Sequence, residues 1–353
     1  MLFIGMRASL ALMACIALGQ AGALASEIKL FDVEPGVETE PAKSMEDAAD
    51  DAEVWLNPAA ADKSLIFGTD KKSGLFVFGL DGAKVDFFPV GRVNNVDLRS
   101  GFETAAGARV LVGASNRTKL GISLFLLDPA TLRVVHDEGL FIATDLADPY
   151  GFCMYSSGKT GALFAIVIGK DGEFRQFALT PSDQGIKAEL VRKFAFGSIA
   201  EGCVADDRTG ILYVGDELRG IWRLGAEPDA GEQRELIAEV DGKELVADIE
   251  GLTLAPDGKD GGFLIASVQG NSTYALFSLP DSKLVARFRI VANAEKNIDE
   301  VTGTDGIALT VGNFGDQYPS GLLVVQDDEN PGAAQNFKYV SWADILNKLN
   351  GTN

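Results

Sequence analysis

The side chains of this 353-residue chain that could do chemistry are nearly all oxygen-bearing: 51 aspartates and glutamates stand against 31 lysines and arginines, with a single histidine. That histidine, His136, lies in Val134-Val-His-Asp-Glu-Gly139, where a strand runs into a turn, and reads as a surface or turn residue without a chemical role. A histidine phosphohydrolase, a His-rich zinc or di-iron site and a Ser-His-Asp hydrolase each need a well-placed imidazole, so all three are excluded. A cysteine phosphatase needs an arginine that closes a loop around phosphate. Neither Cys153, followed by Lys159, nor Cys203, whose Arg208 falls one residue short, has one. In an oxidising compartment the two cysteines could pair, but both read as small buried apolar residues. Catalysis therefore falls to carboxylates, lysines, arginines or a hard metal.

Six segments open on a polar residue and continue as an apolar strand. They start at Asp51, Asn95, Tyr150, Glu201, Glu250 and Asp305, at spacings of 44, 55, 51, 49 and 55 residues. Four carboxylates, an amide and a phenol make an oxygen-rich set, and calcium takes about six to eight oxygen ligands, carboxylates and backbone carbonyls included. Singly, such residues often just satisfy turn backbones; six converging on one rim point to a metal. Beside them stand Lys71 and Lys72, Arg117 and Lys170, each just after a second strand in three successive units. A lone turn lysine is usually solvated, but cations placed equivalently beside an acidic, metal-binding rim suit an anion rich in phosphate.

The elements that must position these residues follow from the repeat. Each opening strand is followed by a second apolar strand, as at residues 65–70, 212–216 and 322–327, and most units add a third, as at 74–78 and 220–224. Six four-stranded units of about 50 residues predict an all-β fold, a six-bladed β-propeller of antiparallel blades. The innermost strands line the channel, which places their first residues at one mouth. A strand near residues 28–31 and the segment 337–342 are expected to share a blade and close the ring. One helix is predicted, at residues 342–349, with Ser341 as its cap and Asp344 in the capping-box position.

Composition sets the outer limits. At 46% hydrophobic and 23% charged residues the chain is an ordinary globular one, and its net charge of −20 argues against nucleic acid or an anionic membrane as partner. Residues 1–25, with Arg7, an apolar run from Leu10 to Leu18 and Ala23-Leu-Ala25, have the layout of a signal peptide and are too short to span a membrane. Residues 26–353 are then one exported domain, secreted or periplasmic, with nothing to suggest an obligate oligomer.

Over nearly the whole of that domain the sequence resembles the alkaline β-propeller phytases, calcium-dependent phosphatases of phytate. The likeness rests on an ordered set of strings, among them Glu38-Thr-Glu-Pro41, Ala49-Asp-Asp51, Lys71-Lys-Ser-Gly-Leu75, Asn94-Asn-Val-Asp97, Ala114-Ser-Asn-Arg117 and Tyr150-Gly-Phe152. Glu201-Gly202, Asp248-Ile-Glu-Gly-Leu-Thr253, Gln269-Gly-Asn-Ser272, Thr304-Asp-Gly-Ile307 and Gln335-Asn-Phe-Lys338 complete it. The resemblance implies that Lys71, Arg117 and Lys170 bind phosphate. It implies that Tyr150, Glu201, Glu217, Asp248 and Glu250 surround catalytic calcium ions and the scissile phosphate, with Glu40, Asp50 and Asp305 nearby. Asp51 and the backbone of Val96 would hold one stabilising calcium, and Asp299, Glu329 and Asn330 another near the ring closure. Where the family has Asp-Asp-Pro, this chain has Asp50-Asp51-Ala52.

Such a site needs neither histidine nor covalent nucleophile. Crowded carboxylates stay ionised only beside compensating cations, and calcium would both supply that charge and activate a water for in-line attack on phosphorus, with Glu201 and Asp248 placing the water. Phytate, or its calcium complex, is the expected substrate. The alternative is a calcium-stabilised propeller serving as a lactonase-like hydrolase or a non-enzymatic binding module. The cationic trio, for which those roles have no evident use, separates the two readings.

Overall fold

The computed structural model describes residues 28–351 apart from Gln184, so the expected signal peptide lies outside the described residues. The described strands form six sheets, arranged as a six-bladed β-propeller. In chain order, the innermost strands are Ala49–Trp55, Val93–Thr104, Pro149–Ser156, Ala200–Asp206, Ile249–Asp257 and Ile307–Val311, and they define blades 1 to 6. Each blade continues outward as an antiparallel meander, for example Ala49–Trp55, Leu65–Asp70, Gly74–Phe78 and Lys84–Phe88 in blade 1.

Strands buried on both faces explain why the alternation of the sequence is mostly apolar with apolar. In blade 1, Ile66, Phe76 and Phe78 join a cluster shared with blade 6, whereas Leu65, Phe67, Leu75 and Val77 face blade 2. Similar wedges lie between the other neighbouring blades. At about 1.5–3 kcal/mol for each large apolar side chain removed from water, these wedges hold the ring and leave the channel-facing residues free for chemistry.

Closure differs from expectation. The segment Val37–Glu38, not residues 28–31, pairs with Asn336–Ser341 to complete blade 6. Lys29–Val33 instead lies parallel to Lys283–Ile290 as a fifth, outermost strand of blade 5. The reason is in the link between them: after Pro35-Gly36 the chain crosses from one blade to the next, so a single N-terminal segment secures two. The helix Trp342–Asn350 forms as predicted, the Ser341 side chain accepting from Asp344 N and Gly351, at φ 72°, ending it. It buries Trp342 and Ile345 against the blade 5–6 wedge. Cys153 and Cys203, read from the sequence as simple apolar residues, form a disulfide between the inner strands of blades 3 and 4. His136, as expected, sits at the periphery of blade 2, its Nδ1 2.7 Å from Leu124 O.

Candidate active site at the channel mouth

One backbone irregularity, repeated, builds the mouth. In blades 1 to 5 the register between the innermost and second strands slips by one residue at the mouth, between Ala49 and Ala52, Val93 and Val96, Pro149 and Gly151, Ala200 and Cys203, and Ile249 and Leu252. These are β-bulges, which bend a strand and re-aim a side chain. The re-aimed residues are Asp50, Asn94, Tyr150, Glu201 and Glu250, and Asp305 takes the corresponding place before blade 6. The sequence-based ring used Asp51 and Asn95, one residue too far in blades 1 and 2. In blades 3 to 6 the ring residue is followed by glycine, and inner strands there nearly touch: a Cβ on Gly202 would lie 2.0 Å from Glu250 O, and one on Gly306 2.2 Å from Asp51 Oδ1. The doublets Asp50-Asp51 and Asn94-Asn95 carry no such marker, and hid the frame.

A second ring lies just outside the first. The residue after each second strand donates its N–H to the carbonyl just upstream of a ring residue. The pairs are Lys71 to Ala48, Arg117 to Arg92, Lys170 to Asp148, Glu217 to Ile199, Gln269 to Asp248 and Asp328 to Thr302, at 2.6–3.3 Å. Lys71, Arg117 and Lys170 are therefore equivalent by hydrogen bonding, as their spacing suggested, and Glu217 is their counterpart in blade 4.

The inner ring is crowded with acid. Asp50, Glu201 and Asp305 bring one oxygen each within 4.8 Å of one another, and so do Glu201, Glu217 and Glu250. Burial first, and then the charge of Asp50, raise the Glu201 carboxyl to about 7, while the polar groups of Glu250 and Tyr150 and the charge of Lys71 pull it down. Burial and neighbouring acids likewise push Glu250 and Asp305 well above the usual carboxylate range. Glu217 is raised by burial and Asp248, while Lys170 pulls it down. The Lys71 ammonium lies 2.6 Å from Asp47, 2.9 Å from Asp50 and 3.0 Å from Asp305. These three acids hold its proton more firmly than usual although burial works against it. One lysine does not balance the group. Asp50 Oδ2, Glu201 Oε2 and Glu250 Oε2 are buried without a hydrogen-bond donor, and the lysine approaches Asp50 Oδ1 as an ion pair without hydrogen-bond geometry. Orphaned, buried, all-oxygen donors fit a hard divalent cation.

The channel floor supplies the contrast. There Asp97 and Asp207 are bridged by Arg99, which also donates to Met154 O. These acids thus have a guanidinium partner, although burial still raises Asp97 above the usual carboxylate range.

The cations of the outer ring converge on Tyr150. Lys170 Nζ stands 4.7 Å and Arg117 Cζ 5.1 Å from the centre of its ring. Burial, and then Glu201, raise the phenol so that it stays protonated. Asp148 grips Arg117 through Nε at 2.7 Å and Nη2 at 2.6 Å, while Nη1 reaches Asn94 Oδ1 at 3.1 Å, leaving one N–H free on each Nη. Asp148 and Asn94 were not given roles from the sequence.

The remaining expected ligands are more dispersed. Asp51 and Val96 do meet, but through Val96 N–H donating to Asp51 Oδ2 at 3.0 Å. Asp299 Oδ1 lies 2.6 Å from the buried Lys338 ammonium, which also pairs with Asp327, while Asp299 Oδ2 is an orphan. Glu329 N donates to Thr302 Oγ1 and Asn330 Nδ2 to Ala334 O, so the loops carrying the three expected ligands adjoin. Glu40 does not reach the mouth: its carboxylate accepts from Lys84 N beside the turn at the far end of blade 1, because residues 36–42 climb the outer edge of the propeller.

A propeller whose mouth joins uncompensated buried carboxylates to an arc of lysine and arginine has the site of a phosphate-handling hydrolase. The phytase family model matches residues 1–353, and the chain belongs to the phytase family, phosphoric monoester hydrolases. It is 40% identical over 331 residues to the 3-phytase of Bacillus subtilis (strain 168), covering 90% of this chain and 86% of that one. Among solved structures, a luciferin-regenerating enzyme superposes with a TM-score of 0.52 at 12% identity, covering 87% of this chain and 96% of that one, a likeness of fold alone.

Proposed function

We propose that the chain is an exported, monomeric, calcium-dependent phosphatase that removes phosphate from phytate by attack of an activated water. Export rests on residues 1–25, whose layout is that of a cleaved signal peptide. The observation that carries the reading is the pairing of the two rings: three cations on one repeated backbone position beside carboxylates whose buried oxygens lack partners.

Asp50, Glu201, Glu217, Glu250 and Asp305 would hold calcium, with Asp248 beside Glu217. Bound there, calcium would keep these carboxylates ionised and polarise the ester phosphate and a water. The protein's own groups do the rest. Lys71, Lys170 and the free N–H groups of Arg117 bind phosphate oxygens and offset the charge that grows on them during transfer. The Tyr150 ring steadies the two cations above it, and its hydroxyl stays a donor. Glu201 and Asp248 orient the attacking water. A polyphosphate entering a chain of charge −20 is best admitted as its calcium complex, which blunts the repulsion.

Inorganic phosphate released from phytate, with and without calcium, tests the reading. Release that requires calcium and collapses in Lys170→Ala supports it; release indifferent to both overturns it.

A further inference from the structure

Asn94 is the amide of the inner ring, fully buried, and it touches both kinds of group that make up the mouth. Its Oδ1 accepts from Arg117 Nη1 at 3.1 Å, and its Nδ2 donates to Glu201 Oε1 at 2.6 Å and to Asn95 Oδ1 at 3.2 Å. The partners dictate which way the amide points. A guanidinium on one side needs the oxygen and a carboxylate on the other needs the N–H, so a flipped amide would oppose both.

We propose that Asn94 is a positioning residue that locks Arg117, the phosphate-binding cation, to Glu201, the carboxylate at the centre of the acid clusters. The inference rests on the phosphatase reading of this site and deepens it. Without Asn94 the guanidinium is fixed along only one edge, by Asp148, and its Nη1 end is unanchored. Glu201 is bound by Nδ2 through Oε1 while Oε2 has no hydrogen-bond partner, so Asn94 decides which oxygen is offered to the cluster. The bulge between Val93 and Val96 is what brings a side chain of this length between the two. No simple replacement serves: a carboxylate would face Glu201 with like charge, and an aliphatic side chain would strip Glu201 Oε1 of its donor and Arg117 Nη1 of its acceptor.

The test uses the full calcium-loaded chain and reads kcat, KM, melting temperature and affinity for inorganic phosphate. Asn94→Ala is expected to lower kcat and phosphate affinity each by about tenfold. Asn94→Asp, nearly the same shape, keeps the acceptor for Arg117 and loses the donor to Glu201. Its kcat should fall about tenfold while phosphate affinity stays within about threefold. In the Arg117→Ala background the effect of Asn94→Ala on phosphate affinity should disappear, a coupling that a role confined to packing does not produce. Calcium binding alone, followed by calorimetry, should weaken in Asn94→Ala, which gives a readout apart from turnover. If Asn94→Ala keeps kcat and phosphate affinity within about twofold of the parent, or loses affinity equally with and without Arg117, the proposal falls. Should Asn94→Ala not fold, the split between kcat and phosphate affinity in Asn94→Asp decides. Arg117→Ala guards the underlying reading. Unchanged phosphate release there defeats the site assignment itself, whereas crippled release there beside a normal Asn94→Ala defeats only the role of Asn94.

Discussion

Blades 1 to 3 and blades 4 to 6 present the same backbone to the mouth and opposite chemistry. At the position fixed by one repeated hydrogen bond, the first half carries Lys71, Arg117 and Lys170 and the second Glu217, Gln269 and Asp328. The inner ring leans the same way: Asn94 and Tyr150, its two neutral members, lie in the first half, and Glu201, Glu250 and Asp305 in the second. A symmetric scaffold has thus been divided into a side suited to phosphate and a side suited to a cation, with Lys71 and Asp50 joining them across one seam. On the proposed reading neither half is a site alone, since phosphate would meet the cation along the diameter between them.

That division can be broken at several points. Stripping calcium with a chelator should abolish phosphate release and lower the melting temperature. A cation held at a hundredfold above its dissociation constant contributes about 2.7 kcal/mol to the folded state, and calorimetry with and without chelator measures it. Arg117→Ala or Lys170→Ala should reduce phosphate release by about 10²–10³-fold, the usual scale for removing one preorganised donor, while the melting temperature barely moves.

In the metal-free chain the acid half should make stability depend on pH. Glu201, raised from 4.5 to about 7, keeps its proton in the folded state over a range where the unfolded chain has released it. The folded state then binds more protons than the unfolded one, so stability is full below the lower value and declines as pH rises through the higher. The neighbours that set this are Asp50, Glu250, Tyr150 and Lys71. Melting curves between those limits should slope downward without calcium and flatten with it. Replacing both Cys153 and Cys203 by alanine should cost about 2–4 kcal/mol, read by denaturant unfolding. Glu40→Gln should change release by less than twofold and stability by under about 0.5 kcal/mol, because Glu40 lies beyond both rings.

Much of this was legible in the sequence, and the failures have a common cause. Strand spacing gave the propeller because each blade must bury both faces, which imposes a periodic apolar pattern. The cations Lys71, Arg117 and Lys170 were legible because their turns follow uniform second strands. The ring was misframed in blades 1 and 2 because a bulge inserts a residue without altering the apolar pattern on either side, and Asp-Asp or Asn-Asn reads alike in either frame. Asp148 escaped notice because its partnership with Arg117 joins residues 31 apart. The closing strand was misplaced because two residues of pairing, Val37 and Glu38, leave almost no periodicity to read. The disulfide depends on adjacency of blades, which spacing alone does not report.

The repeated bulge has a consequence for how such a mouth evolves. It detaches the identity of each ring residue from the wedges that stabilise the fold, so the ring can be rewritten one blade at a time without repacking the core. Five bulged positions, with Asp305 as the sixth, form a small alphabet around a fixed scaffold. A change of a few letters can retune what the mouth accepts long before the propeller itself is at risk.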